Sequence, residues 1–228
     1  MSKRVIAIIP ARIDSSRFPA KMIADETGKP LIQYAWENAI AAETISDVYI
    51  ATDSEEISQK CNEFGANIIM TGAHPNGTSR IAEAVLNFDC DVVVNMQGDE
   101  PELDPAVIDA VVEILGNSVM STAVCELQDD EIDNENVVKA IVDNGRALDF
   151  TRQTTQGALR HIGLYVYQPD FLQTYVAMQP TQNEIIRHLE QMRAIDNGFS
   201  IAVAKVNPQP SGIDTKSQYD EFVKRNSV

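Results

Sequence analysis

Basic residues are scarce in this sequence. The 228 residues include 18 Lys and Arg against 34 Asp and Glu, which gives a formal charge of -16 at pH 7. Proteins that bind nucleic acid present a broad basic face to the phosphate backbone, so this balance excludes nucleic acid as a general partner. An anionic small molecule needs only a local positive pocket, and the few places where cations cluster are therefore informative.

Cysteine and long apolar runs are also scarce. Cys61, Cys90 and Cys125 lie far apart and form neither a CxxC pair nor a zinc-binding spacing, which is typical of reduced thiols in the cytoplasm. The apolar run before Pro10 is too short for a signal peptide or a membrane span. We therefore expect a cytoplasmic protein without membrane insertion.

Two common phosphate-binding fingerprints, GxGxxG and GxxxxGK[ST], are absent from the sequence. Instead, "AIIPARIDSSRFPAKMI" (7–23) places Arg12, Arg17 and Lys21 directly after an apolar run. A loop of this kind can hold a phosphate through backbone N–H groups and cationic side chains, and the serines between the arginines add donors. Composition alone equally allows a solvated basic loop.

Strand and helix patterns alternate through the first half of the chain. The predicted strands are 5–9, 47–53, 67–70 and 91–96, and the predicted helices are 30–43, 54–65, 78–88 and 104–116. This alternation predicts βαβ units around a parallel sheet with right-handed crossovers.

The second half has a more mixed pattern. The predicted strands are 119–127, 137–143, 147–151, 161–169 and 200–206, and the predicted helices are 171–178, 181–198 and 215–225. The length of the chain fits one α/β domain. We predict a single domain over residues 1–228, with an embedded mixed α/β subregion at about residues 126–200.

Polar motifs follow the strands of the first half, at the edge where parallel sheets bind ligands. In "NMQGDEP", Asp99 follows the fourth strand and lies opposite the cationic loop, as a Mg²⁺ ion bound to a triphosphate requires. Alternatively, Asp99 forms a turn with Gly98. Asp214 in "SGIDT" is either a second metal ligand or a residue near the N-cap of the last helix.

Other charged residues also allow two interpretations. In "NGTSR", Gly77 and Thr78 precede a helix N-terminus that suits an anion. Arg80 opposes the dipole of that helix, which suggests an outside anion, although a surface arginine is the alternative. Arg160 and His161 begin an apolar strand, where a lone histidine is usually structural but the adjacent arginine favours carboxylate binding.

Taken together, these motifs occur in the order seen in one family: "IIPAR", "SSRFPAK", "ATD", "GTSR", "NMQGDEP", "RHIGLY", "LEQMR" and "GIDT". From about residue 4 to about residue 225, the sequence resembles the 3-deoxy-manno-octulosonate cytidylyltransferases, or CMP-Kdo synthetases. The resemblance implies a nucleotide-diphospho-sugar transferase (Rossmann-like) α/β fold, mainly a parallel sheet with a small mixed α/β subregion. It also implies a homodimer of lipopolysaccharide biosynthesis that condenses CTP and an acidic sugar to a CMP-sugar and pyrophosphate, with Mg²⁺.

The resemblance also assigns roles to individual residues. Those that match the nucleotide site are Pro10, Ala11, Arg12, Arg17, Lys21, Thr71, Gly77, Thr78, Arg80 and Gln97. Those that match positions facing the sugar acid are Gln97, Arg160, His161, Tyr165, Glu190 and Gln191. Asp99 and Asp214 match the metal ligands, and together with Arg12 and Lys21 they form the implied catalytic set. In this set, Mg²⁺ rather than a side-chain base would activate the attacking hydroxyl.

The chain departs from the family pattern in several places. Only "QTTQGAL" (153–159) separates "DFTR" from the "RHIGLY" strand, where the family usually has a longer segment. Ala20 replaces a common Gly, Ser79 a common acid and Arg187 a usual Glu. Because the short segment and Arg187 lie on the acceptor side, a phosphonate or another ulosonic acid is the alternative acceptor. A protein that binds CTP without turnover is a third interpretation, but such a protein has little need of both metal carboxylates.

Overall fold

The computed structural model describes residues 3–14 and 17–226, so Ser15 and Ser16 of the opening loop lie outside the described residues. The strands and helices predicted for the first half are confirmed. They are β1 Val5–Ala11, α1 Leu31–Ala41, β2 Asp47–Thr52, α2 Glu55–Asn62, β3 Asn67–Met70, α3 Gly77–Val85, β4 Val92–Asn95 and α4 Pro105–Leu115. Local capping explains the start of α2, because the Ser54 side chain accepts a hydrogen bond from the Ile57 N–H at 3.3 Å.

The second half follows the prediction except in one helix. Its elements are β5 Met120–Cys125, β6 Lys139–Asp143, β7 Arg146–Thr151, β8 Leu159–Tyr167, α5 Pro169–Ala177, α6 Gln182–Arg187, α7 Met192–Asp196, β9 Ile201–Lys205 and α8 Lys216–Asn226. Within the described residues, no helix combines the length and the apolar composition needed to cross a membrane.

The single helix predicted over 181–198 is wrong, because the chain breaks between α6 and α7. Thr181 and Glu184 form a capping box that starts α6, and His188 ends it in the left-handed conformation with φ 54°. A left-handed residue cannot continue a right-handed helix. The break turns Leu189 and Gln191 into the interior, where each is 5% exposed or less.

The described chain packs as two compact units. The first unit is Met1–Ala106 with Pro210–Val228, and the second is Val107–Gln209. The predicted mixed subregion falls within the second unit. That the whole chain acts as one domain stays a prediction.

The first unit is built on a parallel sheet with the strand order β3-β2-β1-β4. All residues of β1 are buried, as the continuous apolar run "VIAII" predicts for a strand covered on both faces. Because β2 and β4 flank β1 on opposite sides, the connections that follow β1 and β4 diverge. The crevice between such connections is the usual ligand site of an open α/β sheet.

An aromatic cluster in the first unit joins the opening loop to the C-terminal helix. Phe18, Leu31, Ile213, Tyr219 and Phe222 form one buried group. The rings of Phe18 and Tyr219 lie 5.2 Å apart. This packing fixes the loop after β1 against α8, although the two segments lie at opposite ends of the sequence.

The second unit contains a mixed sheet in which β8, β5, β9, β7 and β6 are neighbours in that order. β6 also pairs with β8, with Lys139 opposite Arg160, so the strand pairings form a closed circuit. β5 and β9 are parallel, whereas the other pairs are antiparallel. This arrangement accounts for the mixed pattern of strands in the second half of the sequence.

Lys139 is a buried cation of the second unit, with 0% of its surface exposed. Its Nζ donates hydrogen bonds to the carbonyl oxygens of Asn134 at 2.9 Å, Arg152 at 3.2 Å and Val137 at 3.3 Å. Burial lowers the pKa of this ammonium. The side chain thus ties the segments around Asn134 and Arg152 to β6 through hydrogen bonds to their carbonyl oxygens.

We expect Lys139→Met to lower the free energy of unfolding by about 2–4 kcal/mol, because the three hydrogen bonds from the buried ammonium to carbonyl oxygens are lost. Urea unfolding would measure the change. Lys205→Met is the matched control in the same unit, since Lys205 pairs with Glu126 at the surface, and it should change stability by less than about 0.5 kcal/mol. Equal effects of the two substitutions would contradict the structural role of Lys139.

Candidate functional site

A polar pocket lies at the carboxyl edge of the parallel sheet in the first unit. Its lining residues are Pro10, Ala11, Arg12, Arg17, Lys21, Met22, His74, Asn76, Gly77, Arg80, Gln97, Asp99 and Asp214. The structure therefore brings together the opening loop, the start of α3, the loop after β4 and the segment before α8. Two predicted nucleotide-site residues are not in this lining: Thr71 contacts Arg80, and Thr78 is buried in α3.

The opening loop carries Lys21 into the interior. Ala20 adopts the left-handed conformation with φ 54°, and its N–H donates to the Ile13 carbonyl at 3.2 Å. The family's common glycine at this position would take that conformation without strain. A short 3₁₀ turn, Lys21–Ile23, follows. This turn leaves Lys21 only 5% exposed. Because lysine is rarely buried without a partner, a charged or polar group is expected beside its ammonium.

The ammonium of Lys21 lies between two carboxylates. Its Nζ is 2.5 Å from Asp99 Oδ2 and 3.8 Å from Asp214 Oδ1. It also donates to the Ile213 carbonyl at 2.6 Å. Arg17 pairs with the same Asp214 oxygen at 2.8 Å. The predicted cations and predicted metal ligands therefore form one connected cluster.

Arg12 differs from the other cations of the loop. It is exposed and lines the pocket, and within residues 3–14 and 17–226 it has no ion-pair partner. An arginine in this position can form bidentate hydrogen bonds with a phosphate. Arg12 is therefore the cation of the opening loop that is most readily available to an incoming anion.

Backbone contacts hold the two carboxylate-bearing loops together. The Ile213 N–H donates to the Asp99 carbonyl at 2.8 Å. A side chain at Gly98 would meet Met22 Sδ at 3.0 Å, so the loop packs closely on the opening loop. The Gln218 side chain accepts hydrogen bonds from the N–H of Asp214, at 2.9 Å. Thr215 Oγ1 accepts from the Gln218 N–H at 3.3 Å, so Thr215 caps α8, and the neighbouring Asp214 carboxylate pairs with Arg17 and Lys21.

Arg80 has its charge balanced inside the protein. It is 3% exposed and pairs with Asp53 at 3.1 Å. Its guanidinium also donates to Thr71 Oγ1 at 2.5 Å and to the Gly72 carbonyl at 3.3 Å. A cation in the first turn of a helix opposes the helix dipole. The pairing with Asp53 explains why Arg80 is tolerated there, one turn after the N-cap residue Asn76. Asp53 lies 27 positions earlier in the chain, so the sequence alone did not show that Arg80 has an internal partner.

His74 and Asn76 line the pocket but were not among the predicted site residues. His74 Nε2 contacts the Glu83 carboxylate, which also accepts from the Gly72 N–H at 3.1 Å. These bonds, first the one from His74, lower the pKa of Glu83. The sequence signal is the stretch "GAHPN" (72–76), which directly precedes the "GTSR" motif.

In the second unit, Arg160 and His161 point to opposite faces of β8, as neighbouring strand residues do. Arg160 is 7% exposed, pairs with Glu131 at 3.1 Å and donates to the Gln209 carbonyl at 2.6 Å. His161 Nε2 lies 2.9 Å from Thr122 Oγ1. Because Arg160 already has a carboxylate partner within the chain, its role in binding an acid stays a prediction.

Two other predicted acceptor residues of this unit, Tyr165 and Glu190, lie near one another. The rings of His161 and Tyr165 lie 5.3 Å apart. Burial raises the pKa of Tyr165, and the nearby charge of Glu190 adds to the effect. The Tyr175 hydroxyl donates to the Glu190 carbonyl at 2.6 Å, and Gln191 is 5% exposed. The corner between α6 and α7 thus brings Glu190 close to Tyr165 and Tyr175.

Arg187, which departs from the family pattern, also has an internal partner. Its guanidinium pairs with Asp149 Oδ1 at 2.5 Å and donates to the Phe150 carbonyl at 3.0 Å. Arg187 therefore ties α6 to β7. Because Asp149 balances the charge of Arg187, the presence of Arg187 in place of the family's usual Glu does not favour a more anionic acceptor.

Known proteins provide an independent comparison. A family model described as cytidylyltransferase matches residues 6–201. A 3-deoxy-manno-octulosonate cytidylyltransferase of Geobacter metallireducens is 37% identical over 251 aligned positions that cover 98% of each chain. That of Chlorobium limicola is 41% identical over 94% of each chain. The 251 positions exceed the 228 residues of this chain, so the Geobacter relative has residues that this chain lacks.

Solved structures confirm the predicted fold class. The structure of a CMP:2-keto-3-deoxy-manno-octonic acid synthetase complexed with CTP superposes with a TM-score of 0.93 at 29% identity, covering 97% of this chain and 98% of that one. The inositol-1-phosphate CTP transferase of T. maritima has a TM-score of 0.74 at 14% identity, covering 99% and 97%. The second likeness concerns the fold alone.

The ionisation of His161 predicts a pH dependence of stability. Burial, with a smaller contribution from Arg160, lowers the pKa of His161 from its usual 6.5 to about 3. The unfolded chain binds a proton at this residue as the pH falls through 6.5, whereas the folded chain does not. The stability that depends on neutral His161 is therefore present above pH 6.5 and is lost progressively toward pH 3.

Between pH 7 and pH 5, His161 should account for about 2 kcal/mol of the loss in unfolding free energy. Urea unfolding of the parent protein and of His161→Gln at both pH values would isolate this contribution, because the other titrating groups are shared. The variant should lose less stability on acidification than the parent. Equal losses would show that His161 is not held neutral in the folded state.

Proposed function

The chain belongs to the 3-deoxy-manno-octulosonate cytidylyltransferase family, and from this we propose that it transfers the cytidylyl group of CTP to Kdo. The anomeric hydroxyl of the sugar acid would attack the α-phosphorus in line, releasing pyrophosphate and forming CMP-Kdo. The observation that supports this proposal most directly is the cluster of Arg12, Arg17 and Lys21 with Asp99 and Asp214 at one edge of the parallel sheet.

The cations supply the charge that a triphosphate needs. Arg12 faces the pocket without an ion-pair partner among the described residues, and Arg17 and Lys21 lie beside it. Phosphoryl transfer depends mainly on positioning and charge neutralisation. Arg12 and Lys21 would hold the phosphates in line and neutralise the charge that develops on the leaving pyrophosphate.

The carboxylates fit a magnesium ion. Mg²⁺ takes one or two protein carboxylates and completes its coordination with phosphate oxygens and water. Asp99 and Asp214 provide such a pair around a position that already attracts a cation. In the described part of the chain, no group of three or more potential metal-binding side chains occurs, so the remaining ligands would come from nucleotide and water. Bound there, Mg²⁺ would neutralise phosphate charge and lower the pKa of a coordinated hydroxyl.

Two observations support Kdo as the acceptor: the names of the relatives and the predicted acceptor residues of the second unit. Both curated relatives described above carry the Kdo enzyme's name. His161, Tyr165, Glu190 and Gln191 would bind the acid. The short segment 153–159 is the observation that favours a different acid, since Arg187 is balanced by Asp149. The homodimer and the cytoplasmic location stay predictions.

Pyrophosphate release from CTP and Mg²⁺ with a panel of acids tests the proposal. We expect release with Kdo, and a CMP adduct of Kdo in the mass spectrum. Release with a phosphonate or another ulosonic acid, but not with Kdo, would overturn the acceptor. No release with any acid would overturn the enzymatic proposal.

Asp99→Asn should lower turnover roughly 100-fold or more, because one metal-binding carboxylate is lost, while CTP still binds weakly. Steady-state pyrophosphate release and CTP titration would separate the two effects. Asp220→Asn is the control, since Asp220 is an exposed partner of Lys216 in the same unit. Near-normal turnover of the Asp99 variant would refute the metal assignment.

A further inference from the structure

Lys21 occupies the position between the two carboxylates that the proposed function gives to a metal ion. Its Nζ lies 2.5 Å from Asp99 and 3.8 Å from Asp214, and it also donates to the Ile213 carbonyl. The side chain of Lys21 is 6% exposed, whereas that of Asp214 is 49% exposed. The buried ammonium therefore sits behind the carboxylates, with Asp214 toward the solvent.

A divalent cation at the same carboxylate pair would meet strong repulsion from this ammonium. Charges a few ångströms apart interact strongly in a partly buried site, where solvent screening is weak. In the described residues, Lys21 is the ionic partner of Asp99, so a metal would compete with it directly. Asp214 has a second partner in Arg17 at 2.8 Å.

A lysine side chain can exchange one anionic partner for another more readily than an arginine side chain can. Its ammonium is a compact charge on a flexible stem, unlike the rigid fork of arginine. Lys21 also lines the pocket next to Arg12, where a triphosphate would offer oxygens in place of the carboxylates. Once the ammonium turns toward phosphate oxygens, the negative charge of Asp99 and Asp214 is left for a metal ion.

We propose that Lys21 is a resident cation that keeps divalent metal off the Asp99–Asp214 pair until a triphosphate draws it away. The inference rests on the proposed function for the identity of the triphosphate and the metal. It makes metal binding at this site conditional on the nucleotide, so that the free protein binds divalent ions poorly here. Nucleotide and metal would then enter the site together.

Titration of the nucleotide-free, full-length protein with Mn²⁺ alone, followed by the electron paramagnetic resonance signal of free Mn²⁺, tests this directly. We expect Lys21→Met to bind one Mn²⁺ at least about tenfold more tightly than the parent protein, because the competing charge is gone. The double variant Lys21→Met/Asp99→Asn should lose that gain. A parent protein that binds as tightly as Lys21→Met would overturn the proposal.

Lys60→Met is the matched control. Lys60 also bridges two carboxylates, those of Asp25 at 3.1 Å and Glu63 at 3.3 Å, but at the surface of the same unit. It should change Mn²⁺ affinity by less than about twofold, since exposed charges are screened. A gain equal to that of Lys21→Met would mean that net charge alone explains the effect, and it would also overturn the proposal.

The thermal melting of each variant is measured first, because the buried ammonium also holds the loop in place through the Ile213 carbonyl. Lys21→Gln, which retains a donor toward Ile213, replaces Lys21→Met if the latter melts early. A folded Lys21→Gln without the gain in Mn²⁺ affinity contradicts the inference. Because this readout needs neither CTP nor an acceptor, its outcome is independent of whether the parent protein releases pyrophosphate.

Discussion

The ion pair between Lys21 and Asp99 is the interaction on which the candidate site depends. It joins the loop after β1 to the loop after β4, and the Ile213 carbonyl extends it to the segment before α8. The buried cluster that contains Phe18, Ile213 and Tyr219 joins the opening loop to α8 and to the segment before it. Apolar burial thus brings two of the segments together, and the Lys21 ammonium links both of them to the loop after β4.

The protein concentrates positive charge locally although its net charge is -16. Several arginines elsewhere have a carboxylate partner within the chain, whereas Arg12 lines the pocket without an ion-pair partner among the described residues. Arg80 pairs with Asp53, Arg160 with Glu131 and Arg187 with Asp149. These three pairs are partly or fully buried and contribute to the structure, whereas Arg12 remains available for a ligand.

These pairs explain where interpretation of the sequence reached its limit. A cation with no anion nearby in the sequence suggests an outside partner, and Arg80 and Arg160 both have this local pattern. In both cases the partner carboxylate comes from a different segment of the chain. Local patterns cannot show such a pairing, because it is created only when the segments pack. The break at His188 escaped prediction for a similar reason, since burial of Leu189 overrides the helical pattern.

The sequence by itself determined the order of strands and helices in the first half, the parallel sheet, the edge of the sheet at which the polar pocket lies, and the family. These features follow from local periodicity, from the chirality of βαβ units and from motifs in a fixed order. Only the tertiary structure decided which cations line the pocket without an ion-pair partner among the described residues and which pair with a carboxylate. It also placed one lysine between two aspartates, because Lys21 and Asp214 meet through packing across almost the whole length of the chain.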